Sequence, residues 1–412
     1  MEFRLIVIAI LVLSNLYRLV LNIVELRSAK NPTPKSVADV YDEETYVKWR
    51  KYSAEQCRLG IISTAVLFAC QLVLLLSNAY SAFATLFSSD IYVQLISVIL
   101  LDAIVSSAVS AVFSYYATMV IEEKYGFNRS SVKTFVGDKI RDLILELVIG
   151  IGLGSLLASL HLTMGNWLIL LFTGVVFVFG LLISFLYPIF SRLGNKFVPL
   201  EEGELKDKLM GLLTKHGYKV KAIEVMDASR RTTKLNAYFT GFGKMKTIVL
   251  YDNLVNALTT DEICAVFAHE LGHGLHKDVL KQQIMNIGNL LLMAVLAWGA
   301  VSVTQFSTAF GFEGVNYGFA FILIGIALGT VQPLTGMVMN AYSRYAEYRA
   351  DKQAVKEGYG EALATGLKLL ARENFANLSP SPLLVVLEYS HPPLAKRIER
   401  INDEVISSHG QK

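Results

Sequence analysis

The segment His269-Glu270-Leu271-Gly272-His273 carries the clearest chemical signature in the sequence. On a helix, two histidines four residues apart lie on one face, so both imidazoles can bind one metal ion. The spacing is typical of zinc hydrolases, in which the intervening glutamate takes a proton from the attacking water. We therefore predict His269 and His273 as zinc ligands and Glu270 as general base. The alternative is a pair of structural histidines on a helix.

A catalytic zinc ion takes three protein ligands and leaves a fourth position open, so another ligand must come from elsewhere in the chain. Glu347 is the candidate, because it follows the last apolar segment at the start of a predicted helix. Asp351 lies one turn later, where it can accept a hydrogen bond from a ligating imidazole and fix its orientation. An E-x-x-x-D spacing alone is more typical of a solvated helix face, so this assignment depends on the H-E-x-x-H motif.

His391, in the triplet His391-Pro392-Pro393, is the candidate for a second catalytic side chain. Peptide hydrolysis passes through a tetrahedral oxyanion, which needs a hydrogen-bond donor besides the metal. A surface histidine before a turn is the alternative for this triplet.

The residues before the H-E-x-x-H motif predict a small α+β domain. Thr259-Thr260-Asp261-Glu262 has the form of a capping box, so a helix that carries the motif should begin there. Three earlier segments are rich in β-branched and aromatic residues and predict a small antiparallel sheet: Lys219 to Met226, Leu235 to Thr240 and Thr247 to Tyr251.

Much of the remaining chain is apolar. Of 412 residues, 53% are hydrophobic and only 18% are charged, which favours a membrane protein over a soluble enzyme. Seven segments reach or approach the roughly 20 residues that cross a bilayer. They are Arg4 to Val24, Gly60 to Leu76, Tyr92 to Ile121, Leu143 to Leu162, Trp167 to Phe190, Ile284 to Phe306 and Val315 to Ala341. A net charge of +3 gives no sign of a nucleic-acid partner.

The lysines and arginines lie almost entirely on one side of such a membrane protein. Residues 24–59, 122–142, 191–282 and 341–412 hold 36 of the 38 basic residues. The short loops that alternate with these segments have none, so the positive-inside rule places the basic segments in the cytoplasm and the N-terminus outside. The zinc motif and Glu347 would then both face the cytoplasm.

The sequence accordingly divides into a membrane region, residues 1–190, with five spans, and a metalloprotease domain, residues 191–412. Two further spans, at about 284–306 and 315–341, interrupt the second domain. The predicted fold is mainly α, with seven transmembrane helices and a cytoplasmic α+β zinc-metalloprotease domain. Asp102 and Glu146 lie within or near spans, where ionisable groups commonly face a polar cavity.

Several motifs make the chain resemble a known family, the type I CAAX prenyl endopeptidases, which are membrane gluzincins. Besides the zinc motif they are Asn31-Pro32-Thr33-Pro34, Tyr41-Asp42-Glu43-Glu44, Ile121 to Asn128, Asn236 to Gly243, Ser343 to Asp351 and His391-Pro392-Pro393. The resemblance covers most of the chain. One departure is Lys396, where the family often has an acidic residue before an arginine, so the ion pairing around Arg397 is left open.

The resemblance implies seven membrane helices that enclose a chamber, with zinc bound at its cytoplasmic end by His269, His273 and Glu347. It also implies that His391 stabilises the transition state and that Arg397 lies close to the site, where we assign Arg397 to substrate binding. Substrate would be gripped by an edge strand, which can hold an extended peptide through main-chain hydrogen bonds. Its residues are Asn236, Ala237, Tyr238 and Phe239.

The expected reaction is removal of the last three residues from prenylated CAAX proteins in the lipid bilayer, with one zinc ion per chain. A general quality-control metalloprotease that acts on membrane-associated peptides without prenyl dependence is the close alternative. A non-catalytic seven-helix receptor or transporter is the third hypothesis. The membrane would be that of the endoplasmic reticulum in a eukaryote and the cell membrane in a prokaryote. The oligomeric state is left open.

Overall fold

The computed structural model describes residues 2–128, 130–190, 196–230, 237–240, 245–373 and 375–409, and most of these are helical. The α-helices are Glu2–Ser28, Glu43–Leu76, Ala79–Thr85, Ile91–Tyr115, Glu123–Tyr125, Val132–Met164, Trp167–Phe190, Glu204–Lys215, Asp252–Ala257, Thr260–His276, Asp278–Ser302, Gln305–Thr308, Tyr317–Lys356, Gly360–Glu373, Pro382–Leu387 and Leu394–His409. Tyr116–Glu122 is a π-helical turn, and Lys35–Val37 and Ala228–Arg230 are 3₁₀ turns.

Six stretches in the described part of the chain are helical, long and apolar enough to cross a membrane. They are Glu2–Ser28, Glu43–Leu76, Ile91–Tyr125, Val132–Met164, Asp278–Ser302 and Tyr317–Lys356. The other predicted span, Trp167–Phe190, is also helical, and its part Trp167–Gly180 is a shorter apolar helix. Val112 and Val148 on these helices are 68% and 65% exposed, as suits side chains that face lipid.

The residues pack into two compact units. The first unit comprises Met1–Lys30, Val47–Val176 and Ile287–Gly336. The second unit comprises Asn31–Tyr46, Phe177–Asn286 and Met337–Lys412. Each unit is assembled from segments that are far apart in the chain, whereas the predicted domain boundary at residue 190 divides the chain once. That boundary stays a prediction.

The core of the first unit is built from large buried side chains such as Leu11, Tyr80 and Phe319. The two ionisable side chains singled out in its spans have hydroxyl partners. Asp102 Oδ1 accepts a 2.6 Å hydrogen bond from Tyr80, and Glu146 Oε2 accepts one of 3.3 Å from Ser107. A polar cavity beside these acids stays a prediction.

The segment Asn31–Tyr46 belongs to the second unit although it lies early in the chain. Asn31 Nδ2 donates to the carbonyl of Ser379 at 2.9 Å. The hydroxyl of Tyr41 contacts the carbonyls of Ala371 and Ala376 at 3.1 and 3.0 Å. Two of the N-terminal motifs therefore contribute to the same packing unit as the H-E-x-x-H segment.

The sheet of the second unit has four strands, β1 Phe197–Pro199, β2 Lys219–Met226, β3 Ala237–Thr240 and β4 Met245–Tyr251, in the order β1-β2-β4-β3. β2 pairs with β4 in parallel, whereas the outer pairs are antiparallel. The prediction of an antiparallel sheet was therefore wrong. The reason is the strand order: β3, the next strand in the chain after β2, lies at the far edge of the sheet. β4 then runs between β2 and β3, antiparallel to β3 and therefore parallel to β2. β1 was not predicted, because three residues ending in proline carry little strand signal.

The helix Thr260–His276, which we call the motif helix, begins as predicted with a complete capping box. The backbone N–H of Thr259 donates to Glu262 Oε2 at 2.9 Å, and the Thr259 hydroxyl accepts from the backbone of Glu262. Its apolar face is buried with β4 and the helix Glu204–Lys215 in the core of the unit. This packing fixes the direction in which the two motif histidines point.

Candidate metal centre

The motif helix lies very close to the helix Tyr317–Lys356, which we call the Glu347 helix. Gly272 is at the contact: a Cβ atom there would be 2.9 Å from Ala350 Cα. The glycine of the H-E-x-x-H segment therefore allows the two backbones to meet. The Glu347 helix continues without a break from a candidate membrane span, so the prediction that a separate helix starts near Glu347 was wrong.

This approach brings the three predicted ligands together. One ligand atom from each of His269, His273 and Glu347 lies within 4.8 Å of the other two. His269 Nε2 is 3.5 Å from Glu347 Oε2, and His273 Nε2 is 3.3 Å from Glu347 Oε1. The imidazole planes are nearly perpendicular, at 87°, with centroids 4.9 Å apart. The two histidines thus share one face of the motif helix, as their spacing predicted.

Two observations show that this group fits a divalent cation. Glu347 is only 5% exposed, yet its Oε2 has no hydrogen-bond partner among the described residues. Arg397 Nη1 lies 3.2 Å away from that oxygen but without hydrogen-bond geometry. Burial lowers the pKa of His273, but Glu347 and Asp278 outweigh it and raise the pKa to about 9. The carboxylates therefore favour positive charge, and two imidazoles with one carboxylate are a ligand set typical of catalytic zinc.

Asp351, the acid assigned to support a ligating imidazole, contacts His269. His269 Nδ1 donates a 2.8 Å hydrogen bond to Asp351 Oδ1, and both side chains are buried. Arg397 clamps the same carboxylate with two hydrogen bonds, Nε to Oδ2 at 2.9 Å and Nη2 to Oδ1 at 2.6 Å. Burial lowers the pKa of Arg397, but Asp351 and Glu347 raise it above its usual value.

The ion pairing of Arg397, which the sequence left open, is therefore made with Asp351 on another helix. Lys396 instead pairs with Glu399 at 2.9 Å. Arg397 is only 8% exposed, and its Nη1 lies 3.2 Å from Glu347 Oε2, so the structure places it close to the predicted ligands. Direct substrate binding by Arg397 stays a prediction.

His273 is also supported by an acid, and sequence reasoning missed it. His273 Nδ1 donates to Asp278 Oδ2 at 3.0 Å. Asp278 is buried and its other oxygen contacts Tyr342 and Arg349. The sequence signal that could have found Asp278 is an acid five residues after the motif, at the beginning of the next helix.

His391 lies at the same centre, next to Glu347. Its Nε2 is 3.4 Å from Glu347 Oε1, and its side chain is 63% exposed, so it can reach a ligand in the open part of the site. Ser390 Oγ lies 2.9 Å from His391 Nδ1. Arg344 Nη1 donates to the carbonyls of Val385 and Tyr389, at 2.7 and 2.6 Å, and so holds the backbone just before His391.

Three of the predicted substrate-binding residues, Ala237, Tyr238 and Phe239, lie on β3, the edge strand beside the motif helix. Ala237 is buried, and Tyr238 and Phe239 pair along β4 through their backbones. Asn236 lies outside the described residues. An edge strand next to the motif is the arrangement that the resemblance implies, while its role in gripping substrate stays a prediction.

Glu270, the candidate general base, lies on the motif helix between the two histidines in sequence and is partly exposed. Its role as base stays a prediction.

Comparison with known proteins decides the family. A profile described as CAAX prenyl protease N-terminal, five membrane helices, matches residues 22–192, and the profile of peptidase family M48 matches residues 199–405. This chain belongs to peptidase family M48. It is 30% identical to a CAAX prenyl protease 1 homolog of Oryza sativa subsp. japonica, over 96% of each chain. It is 32% identical to CAAX prenyl protease 1 of Saccharomyces cerevisiae, over 90% of this chain and 88% of that protein.

A solved structure shares the fold as well. The crystal structure of S. mikatae Ste24p matches with a TM-score of 0.83 and 29% identity, over 98% of this chain and 99% of that chain. This M48 peptidase is thus a multi-pass membrane metalloendopeptidase. The predicted enzyme class is confirmed, and so is the predicted fold class apart from the strand directions in the sheet. The hypothesis of a non-catalytic receptor or transporter is set aside.

Proposed function

We propose that this M48 peptidase binds one zinc ion through His269, His273 and Glu347 and removes the last three residues of prenylated CAAX proteins. The observation that carries the zinc site is that one ligand atom from each of these three side chains lies within 4.8 Å of the other two. In addition, the buried Glu347 Oε2 has no hydrogen-bond partner in the described chain. The substrate class is supported by the full-length relatives, which are named CAAX prenyl protease 1.

The side chains around the proposed ligands have separate roles in peptide hydrolysis. Bound zinc supplies a Lewis acid. Glu270 takes a proton from the attacking water and delivers it to the departing amine. His391, exposed and directed at Glu347, donates a hydrogen bond to the carbonyl oxygen as its negative charge develops. Asp351 and Arg397 hold the orientation of His269 throughout.

The edge strand β3 supplies the binding surface for the peptide. One side of β3 pairs with β4, and an extended peptide can add to its other side through main-chain hydrogen bonds. Such pairing makes little demand on side chains, so selectivity for CAAX proteins would come from the prenyl group and the C-terminus. Asn236, Ala237, Tyr238 and Phe239 are assigned to this surface.

Cleavage of matched peptides tests the substrate class. The purified full chain is given a farnesylated peptide and the same peptide without the lipid, and released tripeptide is quantified. We expect the farnesylated peptide to be cleaved far faster, and Glu270→Gln to abolish cleavage while zinc content stays near one per chain. Equal rates for both peptides would favour the quality-control alternative, and retained turnover in Glu270→Gln would refute its role as base.

The orientation in the membrane is also part of the proposal. The concentration of lysine and arginine in residues 24–59, 122–142, 191–282 and 341–412 supports an N-terminus outside and an active site facing the cytoplasm. The membrane is that of the endoplasmic reticulum or the cell membrane, according to the organism. Tags at the two termini should be digested from opposite sides of sealed vesicles, whereas digestion from one side would contradict this topology.

A further inference from the structure

The two carboxylate oxygens of Asp278 contact different groups. Oδ2 accepts the hydrogen bond from His273 Nδ1 at 3.0 Å. Oδ1 accepts from the hydroxyl of Tyr342 at 2.8 Å and forms an ion pair with Arg349. Because Oδ1 is anchored by two groups and the side chain is only 4% exposed, Oδ2 has a fixed position relative to the imidazole. Asp278 therefore holds His273 with a rigid acceptor rather than a mobile one.

The hydrogen bond decides which nitrogen of His273 is available to a metal. A carboxylate only accepts, so an imidazole that gives up one proton to bind a metal keeps its other proton on Nδ1 and offers the lone pair of Nε2. Nε2 is the nitrogen that faces Glu347, at 3.3 Å from Oε1. Asp278 thus selects both the tautomer and the ring orientation that the proposed zinc site needs.

The backbone conformation just before Asp278 brings its carboxylate close to the motif helix. Lys277, at the end of the motif helix, adopts a left-handed conformation with φ of 55°. Residues with a side chain rarely adopt such a conformation. It turns the chain sharply, so that the first residue of the helix Asp278–Ser302 lies beside His273, five residues earlier.

The anchors of Asp278 belong to the Glu347 helix. Tyr342 precedes Glu347 by five residues and Arg349 follows it by two. Arg349 is further supported by Tyr345, whose ring centroid is 5.1 Å from its Cζ. The acid therefore connects the ligand His273 to the helix that carries the ligand Glu347, and so sets the spacing of the two ligands.

We propose that Asp278 is a positioning residue for His273. The anchored carboxylate of Asp278 holds the imidazole of His273 in the orientation required for tight zinc binding. This inference rests on the proposed zinc site. Removal of a hydrogen-bond partner of a metal ligand typically lowers metal affinity about 10- to 100-fold. We expect that loss when the carboxylate of Asp278 is replaced by an amide.

Zinc affinity of the purified full chain tests this role. The metal-free protein is titrated with zinc against a chromophoric chelator, for the parent chain and Asp278→Asn. The matched control is Glu357→Gln, because Glu357 forms the same kind of pair, Oε1 to His216 Nε2 at 2.8 Å, with its side chain 3% exposed. We expect about 10- to 100-fold weaker binding in Asp278→Asn and no change in Glu357→Gln.

A second variant covers the case in which Asp278→Asn does not fold because Arg349 loses its counter-charge. Asp278→Asn combined with Arg349→Gln removes both charges and should show the same loss of zinc affinity. Cobalt(II) bound in place of zinc gives a further readout. Its visible absorption bands should shift in the Asp278 variants, since the His273 ligand is reoriented, and stay unchanged in Glu357→Gln.

The outcomes separate this inference from the proposed function. A parent chain that binds no zinc would overturn the proposed function itself. If the parent chain binds zinc and the Asp278 variant that folds binds it equally tightly, only the positioning role is overturned. An equal loss of affinity in Glu357→Gln would also overturn it, because the effect would then be a general loss of stability.

Discussion

The two imidazoles of the proposed metal centre have the same kind of support from two different places in the chain. His269 is held by Asp351, which lies one turn after Glu347 on the same helix and is clamped by Arg397. His273 is held by Asp278, which begins the helix that follows the motif. One support therefore belongs to a recognisable motif, whereas the other depends on a backbone turn.

The two supports also differ in how far they are removed from water. The side chains of Asp351 and Arg397 are 4% and 9% exposed. On the other side, the side chain of Asp278 is equally buried, at 4%, but that of its partner Arg349 is 19% exposed. A charge left without its partner is more costly where water cannot reach it, so the two halves of the site should respond differently to equivalent substitutions.

The largest effect is expected from the ligand that both halves share. Glu347→Ala removes the carboxylate whose two oxygens face His269 and His273. We expect this variant to lose zinc and all peptidase activity, because two histidines alone make an incomplete catalytic zinc site. Metal analysis of the purified protein checks this, with Glu357→Ala as control. Zinc occupancy at the level of the parent chain would mean that the third ligand lies elsewhere.

The next largest effect distinguishes the two halves. Asp351→Asn leaves the buried guanidinium of Arg397 without its full counter-charge, which should destabilise the protein by roughly 3–5 kcal/mol. Asp278→Asn should cost less, because Arg349 can reach water. Thermal unfolding of the two metal-free variants in detergent checks the order, and an equal or larger loss in Asp278→Asn would contradict the contrast between the halves.

The same contrast explains what the sequence could and could not predict about the site. The H-E-x-x-H spacing predicted that His269 and His273 would lie together, because i and i+4 positions share a helix face whatever the surroundings. Asp351 followed from Glu347 by the same rule. Asp278 did not, since its contact with His273 depends on the left-handed turn at Lys277, which no residue type there signals.

The fold shows the same division between local and distant information. Apolar length predicted the membrane helices, and the capping box predicted the start of the motif helix. The parallel pairing of β2 with β4 was missed because strand order depends on how the chain crosses the sheet, not on the composition of either strand. Arg397 likewise pairs with Asp351 on a helix that is distant in sequence. The identity of the neighbouring residue, Lys396, could not indicate this partner.

Gly272 tests the contact on which both halves depend. Gly272→Ala would place a Cβ 2.9 Å from Ala350 Cα, so the motif helix and the Glu347 helix would have to separate. We expect a loss of roughly 1–3 kcal/mol in stability together with weaker zinc binding. Gly211→Ala is the control, because a Cβ there meets nothing within 4 Å. Normal zinc affinity in Gly272→Ala would show that the close approach is not required.

The smallest effect is expected where neither imidazole is involved. Arg344→Ala releases the carbonyls of Val385 and Tyr389 and should loosen the segment that carries His391. We expect kcat to fall about tenfold, less than the 10²–10³ seen when an oxyanion donor is removed outright. Zinc affinity should stay at the value of the parent chain. Weaker zinc binding with unchanged kcat would assign Arg344 to the ligands instead of to His391.

The most direct test of the central claim is to locate the metal by anomalous X-ray diffraction at the zinc absorption edge, on crystals of the zinc-loaded full chain. We predict one strong peak about 2.0–2.2 Å from His269 Nε2, His273 Nε2 and a carboxylate oxygen of Glu347. A peak at another cluster of side chains, or one that Glu347 does not reach, would contradict the account.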